Sequence, residues 1–135
     1  MLAFDASALV KRYREEEHTE WLLDLMDRDP VWTGSTLLAA EVPIAVAKSL
    51  EPTGRVSEAD AVLARDLDAF QLVPIDADCI VRAVEIGRDF RVRTLDAIHL
   101  AALRILPSEC QFVTFDDRQR DAAEAMGLNA LTPPV

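Results

Sequence analysis

The sequence predicts a three-layer α/β fold, a mostly parallel sheet of four to five strands flanked by helices on both faces. Three observations predict it. Short apolar runs alternate along the chain with segments of helical period, the order a parallel sheet with crossover helices requires. The first run, Leu2-Ala3-Phe4, stops on a lone carboxylate at Asp5 and turns at once into the helix-compatible Ala8-Leu9-Val10. A late run, Val113-Thr114-Phe115, stops in the same way on Asp116 and Asp117. In open α/β sheets ligands bind at the carboxyl ends of strands, so acids placed there are the first candidates for function.

Each element follows from local signals. The opening strand passes into a helix with Ser7 as its cap-type residue. Glu17 to Arg28 carries Trp21, Leu22, Leu25 and Met26 on one helical stripe, and Asp29-Pro30 ends it. Val31-Trp32-Thr33 reads as a second strand closed by Gly34, with Ser35 and Thr36 capping a helix through Leu37, Glu41 and Val46. Pro43 inside that helix predicts a kink. Glu51 to Gly54 is a loop, Ser57 caps a helix from Glu58 to about Phe70, and Leu72 to Ile75 is a third strand. Pro74 assigns that strand to a sheet edge. Asp76 or Asp78 starts the next helix, through Ile80, Val81 and Val84. Thr94 caps another, Leu95 to Leu106, stopped by Pro107. Phe112 to Phe115 is the fourth strand, Arg118 to Met126 a helix ended by Gly127, and Leu128 to Leu131 a short fifth strand.

Composition bounds the rest. With 135 residues, half of them hydrophobic, the chain has enough core for one domain spanning 1–135. A net charge of −10, from 24 acidic and 14 basic residues, opposes binding of nucleic acid through the overall field. It leaves room for a nuclease whose acidic pocket takes up divalent metal. Two cysteines without CxxC spacing, no signal peptide and no membrane-length apolar run point to a cytoplasmic protein free of membrane.

The chemistry rests on carboxylates. Glu41 stands in the apolar run Leu38 to Ile44, where an unpaired acid is costly, and its nearest cation in sequence is Lys48, seven positions on. Asp96 lies in the first turn of its helix, a position the helix dipole by itself favours. Were Asp5, Glu41, Asp96 and Asp116 to meet within a few Å, they could not all stay ionised unaided. Mg²⁺ or Mn²⁺ resolves that conflict, since hard cations prefer oxygen ligands. An aspartyl-phosphate phosphohydrolase is the rival for Asp5. It needs a second acid where Ser7 stands and a later lysine, yet no lysine follows Lys48. A serine hydrolase would need a GxSxG elbow, which is missing.

At these residues the chain resembles a known family. DASALVK at the start, Glu41 after the second strand, RTLDAIHLAA before a late helix and TFDD after the fourth strand are similar to a PIN domain, most of all to VapC-type toxin ribonucleases. The resemblance spans essentially the whole chain. It implies a PIN-like fold and an endoribonuclease acting by metal-assisted hydrolysis that leaves a 5′-phosphate and a 3′-hydroxyl. It assigns Asp5, Glu41, Asp96 and Asp116 as catalytic ligands of Mg²⁺ or Mn²⁺, Asp117 as an outer ligand, and Ser7 and Thr114 as supporting hydroxyls. Arg88, Arg91, Arg93 and Lys11 are then candidate contacts to RNA phosphates. His99, three residues after Asp96, reads as a hydrogen-bonded, half-buried histidine rather than a ligand. The resemblance also implies a cognate antitoxin and a homodimer. The contrasting reading is a non-catalytic PIN-like module that only binds RNA or protein, which would have no need for four acids.

Overall fold

β-Branched and aromatic residues in short apolar runs suit strands buried on both faces, and five such runs pair into one sheet. In the computed structural model, which describes residues 1–134, the strands are Leu2–Phe4 (β1), Trp32–Ser35 (β2), Gln71–Val73 (β3), Gln111–Val113 (β4) and Asn129–Leu131 (β5). Val135, the last position of the expected domain, lies outside the described residues. The strand order is β3-β2-β1-β4-β5 and every pairing is parallel. β1 is central, with Ala3 opposite Thr33 on one side and Phe112 on the other. β3 lies at an edge, as expected, but it ends at Val73, so Pro74, expected inside the strand, directly follows it and removes no N–H from the ladder.

Among the described residues seven α-helices cover the sheet: Ala6–Tyr13 (α1), Thr19–Arg28 (α2), Leu38–Leu50 (α3), Val56–Ala69 (α4), Ala77–Phe90 (α5), Thr94–Leu103 (α6) and Asp117–Ala125 (α7). Side chains of a strand alternate between faces, and the core divides accordingly. Leu2, Phe4 and Val113 pack with Leu9 of α1, Leu22 and Met26 of α2, Val42 of α3 and Leu63 of α4. Ala3, Phe112 and Val73 pack on the opposite face with Ile86 of α5, Leu100 of α6 and Ala123 of α7. The three-layer α/β architecture is therefore the one the periodicities predict. No helix of the described residues is long and apolar enough to cross a membrane.

The local caps differ from expectation at several points, and each difference has a physical cause. Asp5 itself caps α1, accepting from the Ala8 amide at 3.0 Å, while the Ser7 hydroxyl lies inside the first turn. Asp76 caps α5 through the Cys79 amide, which settles the choice between Asp76 and Asp78. Thr94 is the first residue of α6 and not its cap; Arg93 is the flanking residue there. Ser57 lies inside α4, and Thr53 instead accepts from the Arg55 amide just before that helix. α3 runs through Pro43 over thirteen residues. β4 stops at Val113, so Thr114 and Phe115 belong to the turn that delivers Asp116 to the start of α7.

Candidate active site

β1 is flanked by β2 on one side and β4 on the other, so the chain leaves it in opposite directions at their carboxyl ends. Such a crevice is the usual ligand site of an open α/β sheet. Asp5 stands there, one residue beyond β1 and only 2% exposed. Its Oδ1 accepts from the Ser7 hydroxyl at 2.7 Å as well as from the Ala8 amide, and its Oδ2 accepts from the Thr114 hydroxyl at 2.6 Å. The two hydroxyls are in turn fixed from the β4 side. The Phe115 amide donates to Ser7 Oγ and the Asp116 amide to Thr114 Oγ1. One buried carboxylate thereby locks the turns after two neighbouring strands together. Burial pushes the Asp5 carboxyl above its usual range, although the Thr114, Ser7 and Ala8 donors pull it back.

Asp116 caps α7 by accepting from the Gln119 amide through Oδ1. Its other oxygen faces Arg93. The Arg93 guanidinium donates to Asp116 Oδ2 at 3.2 Å and to Asp96 Oδ2 at 3.1 Å, joining the two acids through one positive charge. Asp96 lies in the first turn of α6, as expected, and its carbonyl accepts from the side chain of buried Gln119. Hydrogen bonding to Asp96, then the charges of Asp96, Asp116 and Glu41, raise the Arg93 guanidinium above its ordinary value.

Glu41 meets a partner that its neighbours in sequence do not reveal. Its Oε1 lies 2.6 Å from Nε2 of His99, while Nδ1 of the same ring lies 3.0 Å from Ser35 Oγ, at the end of β2. A carboxylate oxygen only accepts, so Nε2–H donates to Glu41, while Ser35 Oγ, which also accepts from the Leu37 amide, holds the ring from its Nδ1 side. Expected half-buried, His99 is 3% exposed. α3 and α6 lie on opposite faces, so this contact spans the carboxyl edge of the sheet. Sequence reasoning placed His99 as a structural residue and missed Gln119. The available signal was a polar residue three positions from Asp96 on an otherwise apolar helix.

The acids thus do not form a closed cage of four: Arg93 joins Asp96 and Asp116, His99 holds Glu41, and Asp5 is held by Ser7, Ala8 and Thr114. Among the described residues no three His, Cys, Asp or Glu side chains converge closely enough to hold a metal ion. The donor set nonetheless fits a hard divalent cation. All four candidate side chains offer oxygen, and Asp96 and Asp116 already converge on a shared cation, the Arg93 guanidinium.

The remaining candidates fall outside this cluster. The Asp117 carboxylate is 84% exposed and pairs with Arg120. Lys11 donates to Glu16 and to the Glu17 carbonyl, with its ammonium 4.5 Å from the Phe115 ring centre. Arg88 is exposed on α5, and Arg91, also exposed, ends that helix in the left-handed region at φ 54°.

Comparison with known proteins bears on the fold and the family. The PIN domain family matches residues 2–125. Ribonuclease VapC35 of Mycobacterium tuberculosis is 33% identical over 139 residues, covering 98% of this chain and 97% of that protein. Ribonuclease VapC46 of the same organism is 34% identical, covering 96% and 95%. Among solved structures, a toxin–antitoxin complex from Klebsiella pneumoniae superposes with a TM-score of 0.69 at 18% identity, covering 99% of this chain and 98% of that one. VapBC2 from Rickettsia felis, bound to a DNA fragment from its promoter, superposes with a TM-score of 0.66 at 13% identity, covering 96% of each chain. The parallel sheet with acids beyond β1 and β4, the family match over most of the chain and the two related ribonucleases together place this chain in the PIN-domain family, in its VapC branch.

Proposed function

We propose that the chain is a Mg²⁺- or Mn²⁺-dependent endoribonuclease toxin of the cytoplasm, neutralised by a cognate antitoxin and active as a homodimer. The observation that carries the reading is the placement of Asp5, Asp96 and Asp116 around one strand-end crevice, with two of them sharing a cation. The relatives' name, ribonuclease, supplies the substrate class.

Asp5, Glu41, Asp96 and Asp116 are the residues that would hold the cation, with Asp117 as an outer contact. When bound, such a cation lowers the pKa of water and stabilises charge on the phosphate. The other residues prepare the site. Ser7 and Thr114 aim both Asp5 oxygens, and His99 holds Glu41 in one orientation, as outer partners of metal-binding groups commonly do. Arg93 offers a planar fork suited to a phosphate, and Arg88, Arg91 and Lys11 are the further cations assigned to the RNA phosphates. An overall charge of −10 repels RNA at long range, so recognition falls to these local cations. Exposed Ile80, Val81 and Val84 on α5 supply an apolar surface for a protein partner.

The test is cleavage of a mixed RNA by purified protein with Mn²⁺ or Mg²⁺, with EDTA, and with Asp5→Asn. Cleavage abolished by both EDTA and the substitution is the expected result. RNA retained but uncut under every condition would support the non-catalytic binding module instead.

A further inference from the structure

Arg93 occupies an unusual position for a substrate contact. Its guanidinium is the charge that holds Asp96 and Asp116 together, yet the side chain is 74% exposed while the two carboxylates are 15% and 24% exposed. Its backbone is anchored, since the Arg93 carbonyl accepts from the Ala97 amide at the head of α6. The head group is thus a solvent-facing cation tethered to a fixed point, laid across two acids of the candidate metal site.

We infer that Arg93 is a resident counter-ion of this site, one that a divalent cation must displace and that then turns to the RNA phosphate. The inference rests on the metal-dependent reading above and adds a competitor to it. Among the described residues no three carboxylates converge, and the guanidinium bridges two of them. A monovalent planar group reaches Asp96 and Asp116 from outside and leaves Asp5 to its own hydroxyls. A divalent ion, small and hard, draws oxygen ligands inward from all sides. The exchange is cheap because exposed ion pairs contribute little individually, and the long arginine stem keeps the displaced guanidinium at the rim. There its five donors match a phosphate, so the residue that lowers cation affinity in the free enzyme strengthens substrate contact in the loaded one. One positive charge therefore stands against Asp96 and Asp116 when the divalent cation is not bound.

The experiment is calorimetric titration of Mn²⁺ into metal-free protein without RNA, for wild type, Arg93→Ala, Arg93→Lys and Arg104→Ala. Arg104 is exposed at the far end of α6 and removes one positive charge away from the crevice. Arg93→Ala is expected to bind Mn²⁺ about threefold to tenfold more tightly than wild type. Arg93→Lys should fall between them, and Arg104→Ala should match wild type. At saturating Mn²⁺ the Arg93→Ala enzyme should show a raised KM for RNA, the opposite sign to its metal affinity. If wild type binds Mn²⁺ and Arg93→Ala binds it no more tightly, the counter-ion role is wrong while the metal-dependent reading stands. If no protein takes up Mn²⁺, the metal-dependent reading falls and the inference with it. Equal tightening in Arg93→Ala and Arg104→Ala would reduce the effect to net charge and also overturn it.

Discussion

Nε2 of His99 lies 2.6 Å from Oε1 of Glu41, a contact between residues 58 positions apart that joins helices from opposite faces of the sheet. Nδ1 of His99 also lies 3.0 Å from Ser35 Oγ, so the ring is fixed from both sides at the carboxyl edge. Removing it strands two polar groups at once. His99→Ala is expected to lower RNA cleavage about 10- to 100-fold, the usual cost of losing an outer partner of a metal-binding group. His99→Gln, which keeps a donor for Glu41, should recover part of the loss. Steady-state cleavage rates with matched Mn²⁺ titrations check both; unchanged rates in His99→Ala would mean that Glu41 needs no positioning.

Asp5 supplies a test in which stability and activity part. Burial holds its carboxyl above the unfolded value of 3.8. An acid with a raised folded pKa stabilises the fold fully below its unfolded pKa, and that contribution is lost as pH rises through the raised value. Asp5→Asn is neutral at every pH. In EDTA at neutral pH it should therefore melt a few degrees above wild type while losing cleavage, and the gap should close as pH falls toward 3.8. Thermal melts over a pH series measure this. A variant that melts below wild type at neutral pH would show that the hydrogen bonds to the carboxylate outweigh its burial.

The chain has a single tyrosine, which makes a second buried network directly readable. The Tyr13 hydroxyl donates to Asp66 Oδ2 at 2.7 Å, and Arg12 Nε donates to the same oxygen at 2.8 Å. Asp66 is 6% exposed, so this trio ties α1 to α4 beneath the surface. Burial, and then the bond to Asp66, hold the phenol far above its ordinary 10.0. With a raised pKa, the stabilisation is intact below pH 10.0 and is lost as pH climbs beyond it. Phenolate absorbance should stay absent well above that pH and then rise together with loss of the helical circular dichroism signal. Asp66→Asn should separate the two by letting Tyr13 ionise earlier.

Gly34 tests the packing under the site. A Cβ there would lie 2.5 Å from Leu38 Cδ1 and 2.9 Å from the carbonyl oxygen of Phe4. The leucine tip can turn aside, but the backbone of β1 cannot. Gly34→Ala should cost about 1–3 kcal/mol by chemical denaturation, the usual range for overpacking a core. A neutral result would mean that β1 and β2 separate more easily than their parallel pairing suggests.

Much of the architecture is legible in the sequence. Leu2 to Asp5 shows a strand because the apolar run is short and ends in a polar, turn-prone residue. Pro74 marks where β3 stops because it has no N–H to give to the ladder. The caps were less legible. Ser7, Ser57 and Thr94 are all chemically able to cap a helix, and which oxygen reaches the free amides depends on where the backbone leaves the extended region. At α1 that residue is Asp5, which put the functional acid itself into the capping role.

The sequence by itself determined the alternation of strand and helix, the parallel sheet that alternation demands, and the four acids near the strand ends and first helical turns. These are short-range properties, set by residue type and by neighbours a few positions away. Only the tertiary structure decided who answers each acid. Thr114 reaches Asp5 across 109 positions, His99 reaches Glu41 across 58, and Arg93 reaches Asp116 across 23. Lys48, the cation nearest to Glu41 in sequence, forms none of these pairs. A buried or half-buried charge is satisfied by whatever the packing of the layers brings within hydrogen-bonding distance, and no local pattern of residues encodes that distance.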